Sequence, residues 1–360
     1  MTSRPLTVVL IVPTGVGASI GGFAGDALPV ARAIAQISDT LITHPNVLNG
    51  AQLYWPIPNA LYVEGYALDK FAQGCWGLQP VHQNRIGLIL DSGIEPDLQL
   101  RHLQAADAAR ATLGLNITDY VLTDRPLNVE LRMSESGASS GTIANPDSLL
   151  RAAEKLITQA KVEAIAVVAR FPDDIGSLAL ANYRHGKGVD PLAGAEAVIS
   201  HLIVRTFKIP CAHAPALLPL PLDPHLSPRS AAEEIGYTFL SCVLAGLGKA
   251  PQFTVQKAQE NSQLSITADR VDAVVIPATA CGGSAILSLS GRSTVQIIAV
   301  GDNKTQMQAT PEKLGIKALQ VNSYLEAIGV LVALRTGISP ASLSADISPL
   351  RYLSNSTKQI

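Results

Sequence analysis

Thr7-Val8-Val9-Leu10-Ile11-Val12 runs directly into Pro13-Thr14-Gly15-Val16-Gly17-Ala18-Ser19-Ile20-Gly21-Gly22. A continuous apolar run that stops at proline and glycine reads as a strand buried on both faces, as in a parallel sheet. A helical stretch follows over residues 25–36, so the junction is strand, glycine-rich loop, helix. Bare backbone N–H groups at a helix start favour a phosphate or a carboxylate. A second junction of the same type comes late in the chain, where the run 271–277 meets Ala278-Thr279-Ala280-Cys281-Gly282-Gly283-Ser284.

Working outward, strands are expected near 7–12, 39–43, 85–90, 120–123, 163–169, 273–277 and 296–300. Helices are expected over 25–36, 98–113, 146–159, 192–207, 231–247 and 323–335, with Asn145-Pro146 a good start signal. This alternation predicts a three-layer α/β fold with a mostly parallel, Rossmann-like sheet, as one sheet or as two such halves. The proline-rich stretch 210–228 places a boundary between units 1–210 and 211–360, unless the chain forms one continuous domain. Residues 128–141 alternate like a strand and pass into a Ser/Gly-rich end, 134–141, which reads as a flexible lid, an anion-gripping turn or a surface loop.

The chain has 360 residues, a net charge of −2, 47% hydrophobic and 16% charged residues, and 4% aromatics. The near-neutral charge and scarce aromatics argue against nucleic acid as a partner. No apolar run reaches the roughly 18 residues that cross a bilayer. The apolar surplus fits strands buried on both faces, or a homo-oligomeric interface. Cys75, Cys211, Cys242 and Cys281 show no paired spacing, and the start of the chain runs straight into a strand. A cytoplasmic protein with reduced thiols is expected.

The first loop lacks the third glycine of a dinucleotide fingerprint, since Ile20 stands there, and no acid ends the second strand. It also lacks the Gly-Lys-Ser/Thr of a Walker loop. A small-anion loop using Thr14, Gly15, Gly17, Gly21 and Gly22 is therefore expected, with a plain structural turn as the alternative. Candidate partners stand at other strand ends. His44, Asn46 and Asn49 follow the second strand, as catalytic base and ligand-orienting amides or as parts of a capped turn. Asp91, Ser92 and Gly93 follow the third, with Asp91 either a base or a helix cap. Arg170 offers a carboxylate clamp beside Asp173-Asp174, and Asp302, Asn303 and Lys304 offer polar contacts. Cys281, just before Gly282, Gly283 and Ser284, is the nucleophile candidate, because a helix start would favour its thiolate; a plain buried cysteine is the alternative. No His/Cys set has metal spacing, so neither a metal nor a cofactor is expected.

Several segments resemble an uncharacterised family of cyanobacteria and plastid-bearing organisms, a domain of unknown function. They are IVPTGVGASIGGFAGDA, THPNVLNGA, YVEGYALDKF, GVDPLAGAEAVISHLIVRTFKIPCAHAPAL, VIPATACGGSAI and VNSYLEAIGVLVALRTGISPASL. A looser resemblance is to the aspartate/glutamate racemase superfamily, through the strand ends at Asp91-Ser92-Gly93 and at Cys281. It implies proton transfer next to a carboxylate by two facing cysteines, yet no cysteine follows Asp91-Ser92-Gly93 here.

The expected function is thus an enzyme, of isomerase/racemase, lyase or transferase type. It would act on a small anionic metabolite by cofactor-independent acid–base or thiol chemistry, with Cys281, Asp91 and His44 catalytic. Two other classes stay open: a non-catalytic assembly, regulatory or metabolite-binding protein of photosynthetic organisms, and a nucleotide-dependent enzyme with a divergent loop.

Overall fold

The structure, a computed structural model, describes residues 4–49, 53, 55–173, 175–234, 239–255, 265–350 and 352. Its larger sheet is built from the two ends of the chain. The strands are β1 (Thr7–Leu10), β2 (Thr40–Thr43) and β3 (Ala60–Tyr62), then β12 (Ala273–Pro277), β13 (Gln296–Val300) and β14 (Ala318–Val321). They run in the order β14-β13-β12-β1-β2-β3, with every pair parallel. Read from β3, this is the doubly wound order of a dinucleotide-binding sheet, with its reversal between β1 and β12. Both glycine-rich junctions of the sequence leave the sheet side by side at that reversal.

The middle of the chain makes a second parallel sheet of β5 (Ile86–Leu90), β6 (Ile117–Leu122), β9 (Ala164–Arg170) and β10 (Cys211–Ala216), ordered β10-β9-β5-β6. Residue 210 directly precedes β10, which starts at Cys211 and pairs with β9 from Ile165–Cys211 to Arg170–Ala216. A short antiparallel ribbon of β4 (Trp76–Gln79) and β11 (Gln252–Val255) closes the entry and exit of this middle unit. Beside it, buried Asn84 donates to the carbonyls of Leu247 and Ala250, both at 2.8 Å.

Each strand feeds two cores. Val8, Leu10, Leu88, Leu90, Ala166 and Val168 face one, packed by helices 28–37, 96–113, 240–248 and 324–336. Val9, Ile42, Ile89, Ile165, Val167 and Val274 face the other, packed by helices 65–72, 146–155, 193–207 and 284–290. Both sheets are therefore covered on both faces, which is why their strands read as unbroken apolar runs. Both cores run through both sheets, so three layers are shared across the molecule.

Element bounds differ from expectation in ways that have causes. The first helix begins at Leu28, because the loop after β1 makes further turns first. The helix expected over 231–247 appears as 228–234 and 240–248, with residues 235–238 outside the described set. Strand β10 carries Pro215 and half-buried His213, tolerable because it lies at the sheet edge. Residues 128–143 form an antiparallel hairpin of β7 (Val129–Met133) and β8 (Ser139–Ile143), so the segment read as a lid or loop is an ordered clasp. Ser139 N–H donates to the Gly15 carbonyl at 2.8 Å, and its hydroxyl accepts from Gly194 N–H at 3.0 Å.

Gly194 allows this clasp to seat. A Cβ there would lie 2.3 Å from Ser140 Cα and 2.5 Å from Ser140 N. Gly194→Ala is expected to cost about 1–3 kcal/mol through overpacking. Urea unfolding measures it; an unchanged midpoint would show that the clasp carries no stability.

Candidate functional site

The carboxyl ends of both sheets open onto one cavity of about 1260 Å³. From the larger sheet come Ile11, Pro13 and Thr14 after β1, His44 and Asn46 after β2, Glu64 after β3, and Gly283 and Ser284 after β12. From the smaller sheet come Glu95, Asp173, His213 and Leu217. Crevices beyond the carboxyl ends of parallel strands, at reversals of strand order, are where ligands bind in open α/β sheets.

Of the residues singled out from sequence, Thr14, His44, Asn46, Asn49, Gly283 and Ser284 line this cavity. His44 Nε2 accepts the Val12 N–H at 3.1 Å, which places the ring hydrogen on Nδ1. Burial lowers its pKa to about 4, so it stays neutral and splints β1 to β2. The Asn46 amide donates to the Gly21 carbonyl at 2.9 Å, and Asn49 Oδ1 accepts from the Tyr62 hydroxyl at 2.9 Å.

Three donors of the glycine loop go to the protein itself. Ser19 N–H goes to the Lys304 carbonyl, Ile20 N–H to Asn303 Oδ1 and Gly21 N–H to Asp26 Oδ1, at 2.9, 2.9 and 2.5 Å. The glycines answer to space as well as to turn geometry. Gly21 has a φ of +89°, and a Cβ on it would meet Val12 Cγ1 at 2.4 Å. Residues 19–21 are thus a tightly bonded crossing, and the anion reading of the loop rests on Thr14, Gly15, Gly17 and Gly22.

The structure places the remaining candidates off the cavity lining. Asp91 is buried, its Oδ1 accepting from Gly93 and Leu127 N–H at 3.0 and 2.9 Å and its Oδ2 from Arg170 N–H at 3.1 Å. With three backbone donors on it, this carboxylate buckles three loops together. Ser92 N–H donates to Thr123 Oγ1 at 2.9 Å. Arg170 pairs with Glu95 at 2.9 Å and Asp173 at 2.7 Å, which occupies its fork; Asp174 lies outside the described residues. Asn303 is fully buried between Ile20 and the Tyr324 hydroxyl, and Asp302 is exposed. Cys281, beside exposed Gly282, is wholly buried, with Sγ 3.7 Å from the Pro277 carbonyl. Burial, with Glu312 adding to it, pushes the thiol up to about 11, so it is not a thiolate.

Apart from His44 and Asp173, the ionisable lining comes from residues that the sequence did not single out. Glu64 ends β3 and is buried; its Oε2 caps helix 65–72 by accepting from Tyr66 and Ala67 N–H, at 2.9 and 3.2 Å. Its Oε1 lies 2.8 Å from His201 Nε2. Burial opposes a charge on His201, but the bond and charge of Glu64, with Asp69 nearby, raise its pKa above the ordinary value. His213 Nε2 is 3.5 Å from Glu196, and its Nδ1 is buried without a partner. Glu233 Oε2 accepts from the Tyr183 hydroxyl at 2.5 Å. Burial raises the Glu233 pKa to about 7 and raises Asp190 too, each also pushed by Glu196. Arg184 lines the same wall but is paired with Glu234 at 2.5 Å. Among the described residues, no group of three His, Cys, Asp or Glu could hold a metal ion. The available signal was local: Glu196, Ser200 and His201 interrupt an otherwise apolar helix, AGAEAVISHLIVRTF.

Residues 7–344 match the model of a family described as protein of unknown function (DUF3326). A protein of Synechococcus sp. (strain ATCC 27144 / PCC 6301 / SAUG 1402/1), called an uncharacterized lipoprotein, is 59% identical over 359 residues. The alignment covers 100% of this chain and 99% of that relative. No solved structure matches. Among the described residues, no helix is long and apolar enough to cross a membrane.

Alkylation with iodoacetamide at pH 8 tests the buried thiol. Exposed Cys75 is expected to react at once and Cys281 only after unfolding. Labelling of native Cys281 at the rate of Cys75 would restore it as a nucleophile.

Proposed function

The chain belongs to the family described as protein of unknown function (DUF3326), and from its own site we propose an enzyme that moves protons on a small uncharged or cationic molecule bound between the two sheets. The observation that carries this is the Glu64–His201 pair, 2.8 Å apart on the cavity wall. Glu64 is fixed by two backbone donors, so its charge holds the imidazole in one orientation and favours a proton on Nε2. The other ring nitrogen is left to exchange a proton with a bound molecule, the task of a general acid–base. Glu233, with a pKa raised to about 7, supplies a second group that titrates near neutrality. Two such groups on one cavity support an isomerase-type step, in which one group takes a proton from carbon and the other returns one, or a lyase-type step, in which one takes the proton and the other protonates the leaving group as its bond to carbon breaks.

The thiol route expected for Cys281 is replaced by this pair, because the thiol lies off the cavity lining. The charge of the ligand is also revised. Carboxyls of Glu64, Asp69, Asp190, Glu196 and Glu233 line the cavity, and those of them that are ionised repel anions. Reduced Cys75, Cys211, Cys242 and Cys281 support a reducing compartment such as the cytoplasm, whereas the relative's name fits a membrane-tethered protein.

A thermal-shift screen of amines, neutral polyols and amides, and phosphates with dicarboxylates tests the ligand class, since binding to the folded state alone raises the melting temperature. Amines or neutral compounds are expected to stabilise. Each hit is then incubated in D2O, where NMR reads deuterium entering a C–H position. Glu64→Gln and His201→Gln are each expected to slow that exchange about 100-fold, with binding little changed. Stabilisation by anions alone, or exchange indifferent to both variants, would refute the proposal.

A further inference from the structure

Residues 218–234 cross the cavity without joining either apolar core. Leu217 before them packs on one core and Leu240 after them belongs to the other. Between them, Leu222 is 100% exposed, Leu218 is 44% exposed, and the buried side chain on the described part of the stretch is Ser230. Leu218, Leu220, Ser230, Glu233 and Glu234 nonetheless face the cavity. Among the described residues, polar ties hold the stretch down. Leu218 N–H donates to Asp173 Oδ1 at 2.9 Å, Arg184 donates to the Pro221 carbonyl at 2.7 Å, and His185 meets Asp223 at 2.9 Å. On helix 228–234, Arg229 pairs with Asp26 at 3.0 Å and Glu234 with Arg184 at 2.5 Å. Glu233 accepts from Tyr183 at 2.5 Å and from Ala24 N–H of the glycine loop at 3.4 Å. Segments with few buried apolar contacts open at the lowest free-energy cost.

We propose that residues 218–234 are a pH-dependent lid over the cavity, anchored at the end of β10 and latched by the Glu233 carboxyl to Tyr183 and to the glycine loop. The proposal stands on the packing of this stretch and does not need the catalytic reading. Closed, Glu233 faces acids from every element around it: Asp26 on the glycine loop, Asp190 before helix 193–207, and Glu196 on that helix. The nearby cations are taken, Arg229 by Asp26 and Arg184 by Glu234, while His213 sits against Glu196. An ionised Glu233 therefore closes against three carboxyls with no cation of its own; a protonated one does not.

Burial, together with those charges, brings the closed-state pKa to about 7, against an ordinary 4.5 that Glu233 regains in water when the lid lifts. Below 4.5 it is protonated in both states and closure has its full strength. Between 4.5 and 7 the open state holds fewer protons, so the closed lid weakens, by up to about tenfold per pH unit. Above 7 Glu233 is ionised in both states and nothing further is lost.

Hydrogen exchange read by mass spectrometry at pH 5 to 8 tests this, with peptides of 218–234 corrected for intrinsic rate and referenced to β9. Protection of the lid is expected to fall by about tenfold or more between pH 5 and 7 and to level off above 7. Glu233→Gln keeps an acceptor for Tyr183 and Ala24 but cannot ionise, so its protection at pH 7 should match that of the native protein at pH 5. A flat native profile, or a native slope in Glu233→Gln, would overturn the lid. Should Glu233→Gln fail to fold, Tyr183→Phe decides. It keeps the carboxyls but loses the latch, so lid protection at pH 5 should drop; unchanged protection there would overturn the proposal as well.

Discussion

The pairing of β1 with β12 is the constraint on which the rest of the molecule depends. Val8, Val9 and Leu10 lie in register with Ala273, Val274 and Val275, joining segments some 265 residues apart. Closing a loop of that length costs roughly 5 kcal/mol in chain entropy. The return is a strand buried on both faces: Val8 and Leu10 enter one core and Val9 the other. The β4–β11 ribbon makes this closure feasible by gathering the entry and exit of the middle unit, so the chain returns to β12 close to where it left. Once β1 and β12 are neighbours, their loops must leave the sheet at the same place. The cavity between the sheets follows from that, with its position set by strand order before any polar residue is considered.

What fills the cavity follows a different logic. Three backbone donors near the reversal of strand order are consumed: Ser19, Ile20 and Gly21 bond to the loop after β13 or to Asp26. The unspent chemistry lies in side chains on the short strand ends and on helix 193–207. There the carboxylates do two jobs at once. Glu64 caps a helix with one oxygen and holds His201 with the other. Asp190 accepts the Leu192 N–H at 2.8 Å at the start of helix 193–207 while it crowds Glu233. A carboxylate fixed by backbone donors cannot swing away from its neighbours, so the crowding persists and the protonation equilibria move instead.

How much of this was legible in the sequence depended on length and on partner distance. β1, β5, β9, β12 and β13 are dominated by apolar runs; β12 and β13 coincide with their expected bounds, and the other three lie within two residues of theirs. β3 has only three residues and β14 is interrupted by Gln320, so neither offers an apolar run, and β3 is the strand that delivers Glu64. Asp91 and Asn303 illustrate a second limit. Both stand at strand ends, where ligand-binding side chains are sought, yet each is also held by a distant backbone group, Leu127 N–H 36 residues from Asp91 and Ile20 N–H 283 residues from Asn303. A side chain that satisfies distant loops and one that awaits a ligand look alike until the fold is known. Cys281 failed for a related reason: the helix start that would stabilise a thiolate is present, but the sulfur points into the core, where burial outweighs it.

The same distinction explains why charge on the cavity wall gives better evidence than composition at the loop. Glycine density announces a tight crossing of backbones, and here such a crossing is needed to pass the loop between Val12, Ala18 and Ala27. Helix capping by Glu64 and Asp190 accounts for only part of the carboxyls gathered around this open volume. Each costs desolvation that an apolar residue would avoid. Tyr183 and the backbone N–H groups of Leu192 and Ala24 offset part of that cost, and neither paired arginine nor His213 removes it for Glu233. The uncompensated part is greatest when the lid is shut and the acids are ionised. A cation or a hydrogen-bond donor entering the cavity would relieve it, so the penalty that loosens the empty lid at neutral pH is the one a bound molecule would remove. Ligand entry and lid closure are then coupled through one carboxyl cluster, and neither requires a conformational change in the sheets that carry it.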